Sequence, residues 1–298
     1  MNEFICIDIG GTAIKYGIIQ PDGTPVFTDE CDTNAHLGGK KLARLVHDLA
    51  SRMKNEYPQA KGIAISSAGV VDTEKREIIH ASDAIPGYKG INYQAELADL
   101  DLPVEIENDV NCAGLSEYAT GSARDSQTAL IMTIGTGIGG CFIEEGRLWH
   151  GSTYSACEVG YIPLDGKPFQ DQAATSAMVH NVAKRKGDKE SEWNGRRIFA
   201  AAKEGDAICQ EEIEALARRI GRGIASICFI LNPQTVVLGG GIMGQKEILA
   251  PMIKESFKEA SIPLIADSTQ IRYASHQNAA GMQGALIHFL NKHPELNQ

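Results

Sequence analysis

The stretch Ile5 to Ile19, ICIDIGGTAIKYGII, carries two alternating apolar runs broken at Gly10-Gly11-Thr12. That periodicity predicts strand, tight glycine turn, strand, closed as a hairpin. A Gly-Gly-Thr turn leaves several backbone N–H groups unshielded, and a concave set of such donors is an anion site, most often for phosphate. Asp8 beside the turn would repel phosphate unless a divalent cation lay between them, so the segment fits Mg-bound polyphosphate. It fits equally an ordinary first hairpin whose Asp8 caps a turn, because a lone glycine-rich turn is a weak signal.

The plan recurs at Leu130 to Leu148, LIMTIGTGIGGCFIEEGRL: an apolar run, a break at Gly135-Thr136-Gly137, a second apolar run, then an acidic-Gly turn. Glu145-Gly146 there matches Asp22-Gly23 after the first hairpin, and such pairs suit short hairpin loops. Two like hairpins far apart in one chain predict a duplicated domain with a cleft between the copies. One phosphate loop per lobe would then hold a nucleotide from both sides.

A chain of 298 residues exceeds what one hydrophobic core usually organises, so two domains are expected. Apolar content of 43% and charged content of 22% describe an ordinary globular protein, and the formal charge of −10 argues against nucleic acid or an anionic membrane as main partner. Ala183 to Arg197, AKRKGDKESEWNGRR, is the one charge-rich segment; its mixed signs read as a solvated face or loop. The seven cysteines form no CxxC or CxC pair and sit mostly in apolar runs, the pattern of free thiols in a reducing compartment. A first strand that starts at once, with no signal-peptide pattern and no apolar run of spanning length, reads as cytoplasmic.

In chain order, Leu37 to Tyr57 has helical apolar spacing and Lys61 to Ser66 reads as a buried strand running into the small-residue turn Ser67-Ala68-Gly69. The chain up to Asp99 is expected to be loop around Pro86-Gly87, with Ile91 to Leu100 compatible with helix. The strand Val104-Glu105-Ile106 delivers Glu107-Asn108-Asp109-Val110-Asn111, after which Cys112 to Thr120 is helical in composition. Asp109 thus stands at a strand end and a helix start, where it is either a favoured cap or a group aimed at a ligand. Trp149 to Asp165 is a polar loop containing Glu158 and Tyr161, and His150 within it has two readings, a group reaching the cleft rim or, the more favoured, a surface histidine. A long helix is predicted from Asp206 to Leu231, then a strand from Thr235 to Leu238 entering Gly239-Gly240-Gly241, then a helix from Gln245 to Lys258. Ala279 to Ala285, rich in small residues, opens a last helix whose composition suggests close packing or a hinge at the lobe junction.

Gly135 to Gly140 and Gly239 to Gly244 both spell GxGxxG, which keeps a dinucleotide fold in view. The first, however, continues into a strand, and no acidic ribose partner follows the second. The Walker A lysine motif and the protein-kinase signatures are absent.

Taken as an ordered set, IDIGGT at Ile7 to Thr12, IENDVNCAGLSEY at Ile106 to Tyr118, TIGTGIGG at Thr133 to Gly140, EVGY at Glu158 to Tyr161 and LGGGI at Leu238 to Ile242 resemble the ROK family of sugar kinases, transcriptional repressors and related proteins. The resemblance implies a ribonuclease H-like, actin/hexokinase-type α/β fold, duplicated as two lobes with a central cleft. It divides the chain into 1–115 plus 280–298 and 116–279, and implies ATP, Mg²⁺ and a homodimer. By the same likeness Asp109 matches the catalytic base, and Gly69, Asn108, Glu158 and Tyr161 match sugar-binding positions. Gly10, Gly11, Thr12, Thr136 and Gly137 match the phosphate loops; Gly239, Gly240 and Gly241 match the adenosine side. Asp8 would face the metal, through water. Lys15 has two readings, charge near the phosphates or a solvent-exposed strand position.

Two departures matter. Many relatives carry a histidine where Tyr161 stands, followed by a cysteine cluster that binds structural zinc; here Pro163 to Met178 contains no cysteine, so no zinc is expected. Ala84 also stands where the family usually has asparagine. A zinc-free subgroup that includes β-glucoside kinases looks most similar, which implies phosphorylation of the 6-OH of glucose or a β-glucoside. N-acetylmannosamine or another hexose, and a non-catalytic sugar sensor, are the alternatives; the repressor reading would need a helix-turn-helix module before the first hairpin.

Overall fold

The computed structural model describes residues 2–276 and 280–297. Two compact units account for it: 1–119 with 148–156 and 278–298, and 120–147 with 157–277.

The first unit begins with the hairpin read from the sequence, β1 (Phe4–Ile9) and β2 (Ala13–Ile19), and continues into β3 (Pro25–Asp32). Helix α1 (Gly39–Glu56) buries Leu42, Val46, Leu49 and Met53, the stripe that its spacing predicts. Strand β4 (Ile63–Ser67) follows, then a hairpin of β5 (Val70–Asp72) and β6 (Glu77–His80), the short helix α2 (Tyr93–Glu96), β7 (Val104–Asn108) and α3 (Asp109–Ala119). The strands lie in the order β3-β2-β1-β4-β7, antiparallel from β3 to β1 and parallel from β1 to β7.

The second unit repeats this arrangement. Strands β8 (Thr128–Ile134), β9 (Ile138–Glu144) and β10 (Arg147–Leu148) lead, through the small hairpin β11 (Pro163–Leu164) and β12 (Lys167–Pro168), into four helices. These are α4 (Gln170–Ala173), α5 (Thr175–Lys186), α6 (Gly195–Lys203) and α7 (Ala207–Leu231). Strand β13 (Thr235–Gly239), α8 (Lys246–Ala260), α9 (Pro263–Ser268) and β14 (Gln270–Tyr273) complete it. The sheet order β10-β9-β8-β13-β14 is the counterpart of the first, with β8 pairing antiparallel to β9 and parallel to β13. Duplication inferred from two glycine turns is therefore present at the level of whole sheets, and the fold is the two-lobe α/β class that the resemblance implies.

Helix α7 is built as its sequence predicts. Asp206 caps it by accepting from the Cys209 N–H at 3.0 Å, Asn232 ends it in the left-handed conformation, and Ile213, Leu216, Ile220 and Ile224 are buried. The last helix, α10 (Ala280–Lys292), returns to the first unit and covers β1, β4 and β7. Its small residues serve close packing: a Cβ on Gly284 would lie 1.8 Å from the Cys112 carbonyl oxygen. Ala279, counted in this helix from the sequence, lies outside the described residues.

Two stretches differ from the sequence reading. β3 was not foreseen, and the expected loop before Asp99 contains β5 and β6, with α2 ending at Glu96 and a 3-10 turn taking up Ala98–Leu100. Both are short or exposed elements that lack a continuous apolar signal.

Candidate active site

In the first unit, three strand ends carry the polar residues. β1 places Asp8 opposite Lys15 of β2 and beside Ser66 of β4, whose hydroxyl donates to Asp8 Oδ1 at 2.7 Å. Burial raises the Asp8 carboxyl above its ordinary range, and the Ser66 bond and the Lys15 charge offset part of that. A carboxylate so desolvated favours a nearby cation. The turn after it is pinned by Thr33, a residue with no motif around it: Thr33 Oγ1 donates to Gly10 O at 2.6 Å and Thr33 N to Thr12 O at 2.8 Å. Gly11 and Thr12 remain exposed at the tip.

β4 runs into Gly69, whose φ of +98° and whose Cβ position, 2.6 Å from the His80 carbonyl oxygen, exclude a side chain. The Gly69 carbonyl accepts from Asn108 Nδ2 at 2.9 Å. Asn108 also caps α3, its Oδ1 accepting from Val110 N at 2.9 Å and Asn111 N at 3.0 Å. This corrects the view of Asp109 as the cap: Asn108 takes that role. Asp109, one residue on, accepts from Val110 N at 2.9 Å and Asn108 Nδ2 at 3.0 Å through Oδ1. The helix N-terminus favours the charged carboxylate there. Gly69, Asn108 and Asp109 thus form one bonded cluster.

Behind it lies Glu107, which the sequence reading quoted without a role. It is 1% exposed and accepts from His150 Nε2 at 2.6 Å. His150 is therefore not the surface histidine expected; its ring is 25% exposed and tied to a buried carboxylate. The Ser67 hydroxyl meets Tyr88 OH at 2.7 Å, and Tyr88 meets Tyr93 OH at 2.9 Å; burial pushes the Tyr88 phenol up to about 12. Burial likewise raises Tyr93, so both phenols keep their protons at neutral pH.

In the second unit, the Gly135–Gly137 turn is closed by Gly135 N donating to Gly137 O at 2.9 Å. It is held on α5 by Thr175 N to Gly135 O at 2.9 Å and Ser176 Oγ to Thr136 O at 2.6 Å. Gly240 has φ of +90°, and a Cβ there would sit 2.3–2.7 Å from the Ile134 backbone, so the second glycine run crosses directly over the end of β8. Gly135 and Thr136 consequently share with Gly241 and Gly244 a groove of about 740 Å³. Its far wall is Trp193, Asn194 and Arg196, from the segment expected to be a solvated face or loop. The segment is mostly exposed, as expected, but Trp193 departs from it: it is 9% exposed, its Nε1–H donates to Asp188 Oδ2 at 2.9 Å, and the Arg197 guanidinium stacks 4.3 Å from its ring. The signal was the lone tryptophan among charges. Glu158 and Tyr161 stand apart from this groove on an exposed turn, Tyr161 60% exposed, and Gly160 between them packs against the Ile138 carbonyl oxygen.

Among the described residues no three His, Cys, Asp or Glu side chains gather where they could hold a metal ion, and no helix is long and apolar enough to cross a membrane. Asp8, with the Ser66 hydroxyl bonded to it, would suit a cation that keeps most of its waters rather than one ligated wholly by protein.

The sequence profile of the ROK family matches residues 4–292, nearly the full length of both units. The chain belongs to the ROK family. An uncharacterised protein of Clostridium perfringens is 41% identical over 290 residues, 97% of this chain and 98% of that one. The β-glucoside kinase of Listeria monocytogenes is 32% identical over 299 residues, again 97% of this chain and 98% of its own. A solved ROK family protein from Streptococcus pneumoniae, in complex with sucrose, superposes with a TM-score of 0.84 at 30% identity over 98% of this chain and 99% of that one. ROK membership displaces the dinucleotide reading of the two GxGxxG spellings.

Proposed function

We propose that this ROK protein is an ATP-dependent sugar kinase that phosphorylates a hexose hydroxyl, the 6-OH of glucose or of a β-glucoside, with Asp109 as general base. The observation that carries this is the Gly69–Asn108–Asp109 cluster, a carboxylate fixed at a helix start beside amide and carbonyl groups suited to sugar hydroxyls. Phosphoryl transfer asks mainly for positioning and charge stabilisation, so one base and backbone donors suffice.

In this reading Gly69, Asn108, Glu158 and Tyr161 bind the sugar, and the groove behind Thr136, Gly137 and Gly239 to Gly241 takes the nucleotide. Gly10, Gly11, Thr12 and Lys15 face phosphate. As the sugar oxygen attacks the γ-phosphorus, its proton passes to the Asp109 carboxylate and ADP leaves with the bridging oxygen. Mg²⁺, when bound through water to Asp8, would neutralise charge on the transferring phosphate. Tyr161 in place of the family histidine supports a sugar preference distinct from zinc-binding relatives. A cytoplasmic location belongs to the same reading and suits seven free cysteines. So does a homodimer, which light scattering would test.

An assay of ATP consumption over glucose, cellobiose, gentiobiose, N-acetylmannosamine, N-acetylglucosamine and fructose decides the matter. Turnover on glucose or the β-glucosides is expected, with Asp109→Asn lowering kcat by about 10²–10⁴-fold. Nucleotide binding without turnover on every sugar would make the protein a sensor. Activity indifferent to Asp109→Asn would end the proposed role of that residue.

A further inference from the structure

Glu107 has no part in the chemistry above, yet it is a buried acid that holds three hydrogen bonds. Its Oε1 accepts from the Asn108 backbone N–H at 2.7 Å and from Asn111 Nδ2 at 2.9 Å, while Oε2 accepts from His150 Nε2 at 2.6 Å. One carboxylate therefore grips both sides of Asp109 and a segment distant in sequence. That segment, 148–156, is assigned to the first unit although the chain on either side of it belongs to the second. It closes on itself through Ala156 N to His150 O at 3.1 Å.

We propose that His150 is a positioning residue for Asp109, acting through the Glu107 carboxylate that the two share; this rests on Asp109 being the base. A buried carboxylate needs a charged or strongly donating partner to stay ionised and fixed. Without the imidazole, Glu107 has less reason to hold Asn108 and Asn111 in register, and the start of α3 loosens around the base.

Glu107 is faced by His150 from the 148–156 segment, by His288 Nδ1 at 3.6 Å from α10, and by Asn111 from α3, with the buried Cys112 thiol and Asp109 also near. His150 is faced by Glu107, by Lys292 of α10, by Glu74 and by the Tyr154 ring, 6.0 Å away. His288 is faced by Glu107, Glu105, Lys292 and His150. The bond to Glu107 raises His150 above the usual histidine range despite its partial burial, whereas burial lowers His288. Of the two imidazoles, His150 is thus the one whose protonated form the Glu107 bond favours. A raised histidine contributes its pairing below its unfolded pKa and loses it as pH rises through the folded value, so the latch opens on the alkaline side.

The test uses the full-length protein and the panel sugar turned over fastest. His150→Gln keeps a donor but cannot become a cation; it should lower kcat/KM for the sugar by about tenfold or more, leave the KM for ATP within about twofold, and abolish the alkaline limb of the sugar profile. His293→Gln is the control, because His293 pairs at 3.1 Å with Glu105, two residues earlier on β7, without reaching Asn108 or Asn111. It should leave that limb in place. A wild-type limb in His150→Gln, or its equal loss in His293→Gln, overturns the proposal. Should His150→Gln fail to fold, NMR titration of His150 in the wild-type protein replaces it: the imidazole midpoint must coincide with the alkaline limb, and a separation of about one pH unit or more overturns the proposal. Asp109→Asn separates the two ideas. If it is inactive while His150→Gln changes nothing, the base stands and the positioning role falls; if it is active, both fall.

Discussion

A methyl group on Gly281 would lie 2.3–2.4 Å from the carboxylate of Asp8, so the first turn of α10 is pressed against the proposed metal-facing acid. Gly281→Ala should push Asp8 off the Ser66 hydroxyl. We expect a loss of about 1–3 kcal/mol in denaturant unfolding, as for other overpacked sites, and a higher Mg²⁺ concentration for half-maximal activity. A shift in stability alone, with the Mg²⁺ dependence unmoved, would show that Asp8 has no part in metal use. Asn108 offers a second measurement at this scale. It caps α3 and bonds Gly69, so Asn108→Ala should cost about 1 kcal/mol as a lost cap and also raise the sugar KM. An unchanged KM would reduce Asn108 to a cap.

At the scale of elements, α6 begins at the wall of the proposed nucleotide groove, where Asn194 Oδ1 accepts from Arg197 N at 2.9 Å. Asn194→Ala should cost about 1 kcal/mol and weaken ATP binding by loosening the Trp193–Arg196 wall, measured by calorimetry with a nonhydrolysable nucleotide. Such a dependence would tie a segment that looked merely solvated to ligand binding. Its packing was hidden because Trp193 joins the hydrophobic core of the second unit from a charged segment with no apolar run around it. Both glycine hairpins and α7 were legible, since alternation, helical periodicity and capping residues act over a few positions. β3 was not, having six of its eight residues exposed. The Asn108–Asp109 step was legible as a strand end meeting a helix start. The Glu107–His150 bond was not, because its partners are 43 residues apart and only the folded chain brings them together.

At the scale of the molecule, the proposed sugar contacts Gly69, Asn108 and Asp109 fall in the first unit, and Glu158, Tyr161 and the proposed nucleotide groove in the second. Hydrogen exchange should distinguish the two ligands: a nonhydrolysable nucleotide alone should protect the Gly10–Thr12 and Gly135–Gly137 turns and the start of α6, and sugar alone the start of α3 and the Glu158–Tyr161 turn. Protection of all of these by nucleotide alone would contradict that division of labour.

Helix α10 also fixes an order of events. It lays Phe289 over Gly62, where a Cβ would meet the ring at 2.1 Å, and buries Phe4, Cys6 and Ala64 with Ala285 and Leu286. The segments that build the second unit, 120–147 and 157–277, leave the ribosome before that helix does. One face of the first sheet made is thus the last to be covered, and the nascent chain must carry it bare through most of translation, the interval in which a chaperone would be needed.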